Sequence, residues 1–330
     1  MSNHTPDNSS SSPKENLHIM VLNAQDLFLF LDLYNGEDIQ SLTEKEWQKL
    51  GISLKGNKSK EKCQELAQCI TDNEADIVMV CEVGGPESLE HFAKHFLFDK
   101  YESYSLPSNS DRGIDLGYLV KKDLPFKFKL KSHRDRLLRS KIYHYFSRDV
   151  LELDISNQND EVQMILLLTH LKSKLDMKKD DYEGRSRRQV EMRGMLDLYL
   201  ELEQKHNVPI FLGGDFNGNA TEFDTEQEFE QIYHLTELKD VCSWEQFPIE
   251  KRVSYFHFNR SGNRISSQLD YLFVPAKWKS LIVNGSVCFP HYRNLSGMPL
   301  PLPDGHEKKT ILPSDHLPLL AIFKLPAKNI

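Results

Sequence analysis

Asp215 and Asn217 stand two residues apart in Val-Pro-Ile-Phe-Leu-Gly-Gly-Asp-Phe-Asn-Gly-Asn, residues 208–219. Ile210 to Leu212 read as a buried strand. Gly213 and Gly214 allow close backbone approach, and the period of an extended chain then puts acid and amide on one side. A carboxylate can ligate a hard cation or take a proton, and an amide can donate to an oxyanion without changing charge. Together they suit hydrolysis at phosphorus. Asp and Asn are also ordinary turn residues, so the unit needs company before it counts as a site.

Similar polar residues close other apolar runs. His18 to Leu22 is followed by Asn23, at a strand's C-terminal edge. Ile77 to Cys81 is followed by Glu82, then by a Gly-Gly turn and a helix that Pro86 can start. A carboxylate at the end of a buried strand costs desolvation unless something positive faces it, so its partner is a metal or a neighbouring Lys or Arg. Val162 to Leu168 delivers Thr169-His170-Leu-Lys-Ser. Asp270 lies inside an otherwise apolar strand, Gln268 to Val274, where a buried acid needs a partner. Ser314-Asp315-His316 stands at the mouth of the last strand. A lone His at a strand end is more often structural than catalytic, and only its neighbours raise it.

The elements that must position these residues follow from periodicity. Arg148 to Ile155 and Val162 to Leu168 read as successive strands joined by a polar turn at 157–160, too short for a crossover helix, so they pair antiparallel. Cys63, Leu66, Ala67 and Ile70 repeat at helical spacing; further helices are expected over Arg187 to Gln204 and Glu222 to Tyr233. A turn at Asp111-Arg-Gly-Ile-Asp feeds a strand that ends at Lys121. Residues 36–59 read as a surface excursion with one helical turn around Trp47, 244–264 as loop-rich, and 290–313 as a long surface loop. Phe126, Phe128 and Leu130 alternate with Lys127, Lys129 and Lys131. The basic face continues through Arg134, Arg136, Arg139 and Lys141 into Tyr143, Tyr145, Phe146 and Arg148. Such a strip can contact phosphates and sugars, or its lysines can guard an edge strand against aggregation, and the two readings carry equal weight.

With 330 residues and ordinary apolar content the chain can bury a full core, and nothing marks a second domain or a repeat. Residues 1–16, polar and Ser-rich, read as a disordered tail, leaving 17–330 as a single domain. Five cysteines without zinc-finger or CxxC spacing read as reduced core residues. No segment is long and apolar enough to cross a membrane and the start lacks the order of a signal peptide, so a cytoplasmic location is expected, with signal-less export left open. A net charge of −8 argues against a surface that clamps nucleic acid everywhere, but not against a local basic face.

Asn23, Glu82, His170, Gly-Asp215-Phe-Asn217, Asp270 in Gln-Leu-Asp-Tyr and Ser-Asp315-His316 occur in the order and context of one family. Over roughly residues 17 to 325 the chain resembles the endonuclease/exonuclease/phosphatase superfamily, the deoxyribonuclease-I-like fold. Arg-Gly-Ile-Asp at 112–115 and Thr-His-Leu-Lys-Ser at 169–173 look most like its bacterial nuclease-like members. The resemblance implies a four-layer α/β sandwich, with two mixed β-sheets face to face, helices outside and the active site at one end. It implies Glu82 as the main Mg²⁺ ligand, with Asn23 and Asp315 near the same ion, and Mn²⁺ or Ca²⁺ as substitutes. Asp270 is then expected to accept a hydrogen bond from His316, whose other ring nitrogen faces the scissile phosphate. Asp215 and Asn217 would hold the attacking water and a phosphate oxygen, while His170 and Arg148 neutralise phosphate charge. Apurinic-site-cleaving members usually have Tyr at the His170 position, so His favours the deoxyribonuclease-like branch.

The function expected is Mg²⁺-dependent phosphodiester hydrolysis, with a nucleic acid, DNA or RNA, as substrate and a monomer as the default state. Oxygen donors and the lack of zinc spacing favour Mg²⁺ over Zn²⁺. The alternatives are a phosphatase or phospholipase of the same superfamily, or an inactive binding protein with this fold. Gly-Asn-Ala after Asn217 is unlike the Tyr-Arg type associated with inositol-polyphosphate phosphatases. No exposed aromatic hairpin is seen that would dip into a bilayer, so no stable membrane association is expected.

Overall fold

Alternation along a strand decides which of its residues meet which layer, and here it sorts the apolar side chains into three cores. The computed structural model describes residues 15–136, 146–174, 181–259, 261–305 and 311–325. Its strands are β1 Asn16–Leu27, β2 Ile77–Val83, β3 Tyr101–Leu106, β4 Asp115–Lys121, β5 Lys127–Ser132, β6 Val150–Ser156, β7 Val162–His170, β8 Ile210–Asp215, β9 Leu238–Asp240, β10 Tyr255–Phe258, β11 Arg264–Ser267, β12 Asp270–Pro275 and β13 Leu319–Lys324. The helices are α1 Glu44–Gln48, α2 Lys60–Asp72, α3 Pro86–His95, α4 Arg185–Lys205, α5 Glu230–Leu235 and α6 Val241–Trp244. Among the described residues one sheet runs β13-β1-β2-β4-β3, a second runs β5-β6-β7-β8-β12-β9, and β10 and β11 form a two-stranded third. Both large sheets are mixed: β1 and β2 pair parallel, as do β7 and β8, while the other ladders are antiparallel.

Leu17, Ile19 and Val21 of β1 and Ile77, Met79 and Cys81 of β2 pack against Leu166 and Leu168 of β7, Phe211 of β8 and Leu272 of β12, so this core fills the space between the sheets. The intervening Met20, Leu22, Val78 and Val80 face Leu66 and Ile70 of α2 and Leu89 and Phe92 of α3. On the far side Ile165, Leu167, Ile210 and Leu212 meet Met192, Met195 and Tyr199 of α4. Helix, sheet, sheet, helix is the four-layer sandwich expected from the resemblance. The five cysteines are free thiols, four of them buried.

Several local expectations change. Residues 222–226 are not helical; a single turn, Gln227–Phe229, leads into the short α5. The segment read as loop-rich contains β10, whose partner β11 begins at its last residue, Arg264, and β3 was not foreseen, its sequence Tyr-Glu-Ser-Tyr-Ser-Leu being mostly polar. The Lys127–Lys131 strand is an edge strand, and two of its three lysines are engaged by acids: Lys127 Nζ lies 2.7 Å from Asp160, and Lys131 Nζ 2.5 Å from Glu152 and 2.6 Å from Asp154. Arg136 pairs with Glu201 of α4, and Arg134 donates to the Pro107 carbonyl at 2.6 Å. These contacts favour the edge-guarding reading for that part of the strip. Arg139, Lys141, Tyr143 and Tyr145 lie outside the described residues.

Candidate active site

Pairing register brings three of the site residues into one row. His170 at the end of β7 is opposite Asp215 at the end of β8, and Asp215 is opposite Asp270 at the start of β12. Neighbouring strands are about 4.8 Å apart and paired residues share a face, so all three side chains enter the space between the sheets, continuing the rows of Leu168, Phe211 and Leu272. Gly214 makes the approach possible. With φ +135° it occupies a backbone conformation that side chains rarely adopt, and a Cβ there would meet the Thr169 carbonyl oxygen at 1.8 Å.

The opposing sheet supplies Asn23 and Glu82. Asn23 continues the inward row of Leu17, Ile19 and Val21, and its Nδ2 donates to Asp215 Oδ2 at 2.9 Å, tying the two sheets together. Simple alternation would put Glu82 with Val78 and Val80, facing the helices. Instead β2 shifts register between Cys81 and Val83, and Glu82 takes a left-handed φ of 63°, which redirects its side chain. Glu82 Oε2 accepts from the Asp26 amide at 3.1 Å, and Oε1 lies 3.9 Å from His170 Nε2.

His316 enters ahead of β13. Its Nδ1 lies 2.7 Å from Asp270 Oδ2 and its Nε2 lies 3.9 Å from Asp215 Oδ2, while Ser314 Oγ donates to the Asn23 carbonyl at 2.7 Å and anchors the segment. Asp315 is placed through its amide, which donates to Gln25 Oε1 at 3.0 Å. Burial by itself would push the His316 ring toward neutrality, but Asp270 and then Asp215 outweigh it and hold its pKa well above the ordinary value. His170 goes the other way: burial first, then the charges of Arg148, His316 and Arg112, push its pKa well below the ordinary range. The neutral ring then offers Nε2–H, which lies 3.5 Å from Asp215 Oδ2, and a hydrogen bond rather than a full positive charge. Burial raises the Asp215 carboxyl, His316 opposes, and Asp270 adds to the rise.

Two expected residues sit differently from the sequence reading. Arg148 is 6% exposed and its Nη1 is committed to the carbonyls of His170 and Leu171 at 3.0 and 2.9 Å, so it braces the strand end from beneath. Asn217 does not extend the strand: its φ is 53°, its amide donates to Asp215 Oδ1 at 2.8 Å, and its Nδ2 donates to the Leu171 carbonyl at 3.0 Å. The turn and the site are the same feature. Sequence reading missed Ser254, whose Oγ accepts from the Asp270 amide at 3.0 Å, and Tyr255, whose ring centroid lies 4.8 Å from that of His316. A Ser-Tyr pair in a loop-rich stretch carries no periodic signal that would have found them.

Around one imidazolium the site gathers Glu82, Asp215 and Asp270, an excess of negative charge that suits a bound cation. Ligand atoms of Asp215, Asp270 and His316 lie within 4.8 Å of one another and could hold an ion. There, however, Asp270 and His316 already bond to each other at 2.7 Å, and a cation would compete with that proton. Glu82, the Asn23 amide and Asp315 offer oxygen donors alone, the set a hard divalent cation prefers.

A family model described as the endonuclease/exonuclease/phosphatase family matches residues 20–249. The chain belongs to that family. The match includes Asn23, Glu82, Arg148, His170, Asp215 and Asn217, whereas Asp270, Asp315 and His316 lie beyond it and are joined to the site by geometry. No curated protein matches the chain by sequence. Among solved structures, the human Nocturnin catalytic domain with bound sulfate is 16% identical, TM-score 0.59, with 95% of each chain covered. D. rerio TDP2 complexed with single-strand DNA product is 13% identical, TM-score 0.56, covering 94% of this chain and 100% of that one. A Bacteroides thetaiotaomicron mannosyl-6-phosphatase is 15% identical, TM-score 0.56, covering 92% and 98%. The family member thus carries the fold of phosphoester hydrolases. Among the described residues no helix is long and apolar enough to cross a membrane.

Proposed function

We propose that this family member is a divalent-cation-dependent phosphodiesterase whose substrate is a nucleic acid. The observation that carries the reading is the Asp270–His316 pair set beside Asp215, with the His170 imidazole in the same row. Asp215, its two oxygens oriented by Asn23 Nδ2 and the Asn217 amide, receives the proton of the water that attacks phosphorus, while the P–O bond to the leaving oxygen breaks and that oxygen is protonated from solvent. His316 Nε2–H and His170 Nε2–H donate to phosphate oxygens, on which charge gathers in the transition state, and so stabilise it more than the ground state. Asp270 fixes the orientation of the His316 ring and keeps it charged. Glu82, with Asn23 and Asp315, would hold Mg²⁺, which would supply Lewis-acid neutralisation of charge on the phosphate.

Fold likeness to a DNA-product complex, and His rather than Tyr at position 170, support the nucleic-acid half of the reading. Fold likeness to a sugar phosphatase supports a second reading, phosphomonoester hydrolysis. A single catalytic domain over 17–330, a monomer, a cytoplasmic location and no stable membrane association belong to the same proposal. The test is Mg²⁺-dependent hydrolysis across plasmid DNA, single-stranded RNA, a phosphoinositide, sphingomyelin and mannose 6-phosphate. Turnover of either nucleic acid above the other three is the expected result; turnover confined to mannose 6-phosphate would replace the reading with the second one.

A further inference from the structure

Beyond the end of β7 the sheet ladder can no longer satisfy the backbone, and side chains take its place. His170 and Leu171 present their carbonyls to Arg148, and the Leu171 amide donates to the Asp215 carbonyl at 2.9 Å. The next peptide is held by α4. The Lys172 amide donates to Glu191 Oε2 at 2.7 Å, and the Lys172 carbonyl accepts from Arg188 Nη1 at 3.1 Å. Glu191 reaches a second segment with its other oxygen: Oε1 accepts from the Ser147 amide at 2.9 Å and from Ser147 Oγ, one residue before Arg148. Arg187 Nε lies 3.3 Å from the same oxygen. Arg188 is compensated by Glu228, at 3.0 Å from its Nε. Glu191 and Arg188 are 1% and 0% exposed, so neither can touch substrate.

We propose that Glu191, assisted by Arg188, is a positioning residue: one buried carboxylate clamps the segments that carry Arg148 and His170 and so sets His170 Nε2 for the phosphate. The inference rests on the role given to His170 above. A helix packs on a sheet through apolar side chains without help, and a buried charge costs desolvation, so a carboxylate here answers a different need. Among the described residues, Ser147 N–H and O–H, Lys172 N–H and Arg187 Nε–H all face it as donors, and a carboxylate only accepts. A glutamine would turn its own NH₂ toward one of these donors and release either residue 147 or residue 172. Release at either end lets His170 drift from Asp215 and Glu82, and misplacement by about 1 Å can cost about 100-fold in rate.

The experiment compares wild type, Glu191→Gln, Glu191→Asp and Ser147→Ala. It measures steady-state hydrolysis of bis(p-nitrophenyl) phosphate with Mg²⁺ and, separately, amide hydrogen exchange. Folded Glu191→Gln is expected to lose about 10- to 100-fold in kcat with KM within about two-fold, and Glu191→Asp to recover part of the loss. Exchange at Leu171 and Lys172 is expected to quicken in Glu191→Gln while the centres of β7 and β8 stay protected. A folded Glu191→Gln with wild-type kcat, or with unchanged exchange at those two amides, overturns the inference. Should Glu191→Gln fail to fold, Ser147→Ala decides: a lowered kcat with faster exchange at residues 147 and 148 supports the clamp, and wild-type values of both overturn it. Should the wild type not hydrolyse the diester, the functional reading fails, and the exchange measurements still judge the clamp.

Discussion

Asp215 and Asp270 oppose each other across the β8–β12 pair and face the two nitrogens of a single ring, His316, at 3.9 and 2.7 Å. The ring cannot be moved from one carboxylate without changing its relation to the other. Asp270→Asn and His316→Ala are each expected to lower kcat by about 10³- to 10⁴-fold, and the double variant to be hardly worse than the poorer single. The check is the cycle measured on a phosphodiester at saturating Mg²⁺; fully additive losses would show two independent contributors.

The two histidines respond to pH in opposite senses. The folded pKa of His316 lies above the ordinary 6.5, so its stabilisation is complete below pH 6.5 and is lost as pH rises through the folded value. His170 has its folded pKa below 6.5, so its contribution is whole above pH 6.5 and is lost as pH falls toward that value. Asp270→Asn is expected to flatten the alkaline loss and leave the acid one. Denaturant unfolding across pH, without added metal and with imidazole NMR to assign each ring, checks both; an alkaline slope unchanged by Asp270→Asn would detach the His316 charge from Asp270.

Gly214 and Gly213 are neighbours with different tolerance. A Cβ on Gly214 strikes the Thr169 carbonyl, which is backbone, whereas one on Gly213 meets Met79 Cε at 3.0 Å, the end of a flexible side chain. Gly214→Ala is expected to cost about 3 kcal/mol or more and Gly213→Ala about 1 kcal/mol, read from urea midpoints. Equal costs would mean that the β7–β8 approach is looser than its geometry.

Glu82→Gln removes a ligand charge at nearly constant volume. Mg²⁺ affinity is expected to fall by about 10-fold or more with the thermal midpoint little changed. Calorimetric titration decides; unchanged affinity removes Glu82 from the cation site.

The lysines of β5 are expected to act on stability rather than binding. Lys127→Gln with Lys129→Gln should leave the salt dependence of nucleic-acid binding unaltered, since Lys127 is already paired with Asp160 at the far end of the edge strand from the site. Lys131→Met strands Glu152, 1% exposed, with one fewer partner, and is expected to cost about 1–3 kcal/mol after allowance for the partial exposure of the lysine. A flattened salt slope in the double variant would restore the strip as a contact surface.

Local rules were enough for much of this chain. Alternation in β1, β2, β7 and β8, the glycines before Asp215, Pro86 at the start of α3 and the hairpin of β6 and β7 are properties of a few adjacent residues, and each formed as its own sequence demands. The polar residues at strand ends could be named for the same reason. What they touch was a matter of register between distant strands: Asn23 and Asp215 are separated by 192 residues, and nothing local to either specifies their 2.9 Å hydrogen bond. Glu82 shows the limit most clearly, because alternation turns it toward the helices and only the bulge at Cys81–Val83 brings it back. Glu191 shows it again, since a glutamate in an amphipathic helix looks solvated until two loops from other elements close over it and make it a buried acceptor. Burial and pairing are sums over neighbours that meet only when the sheets are assembled, so the tertiary structure, and not any one segment, decided them.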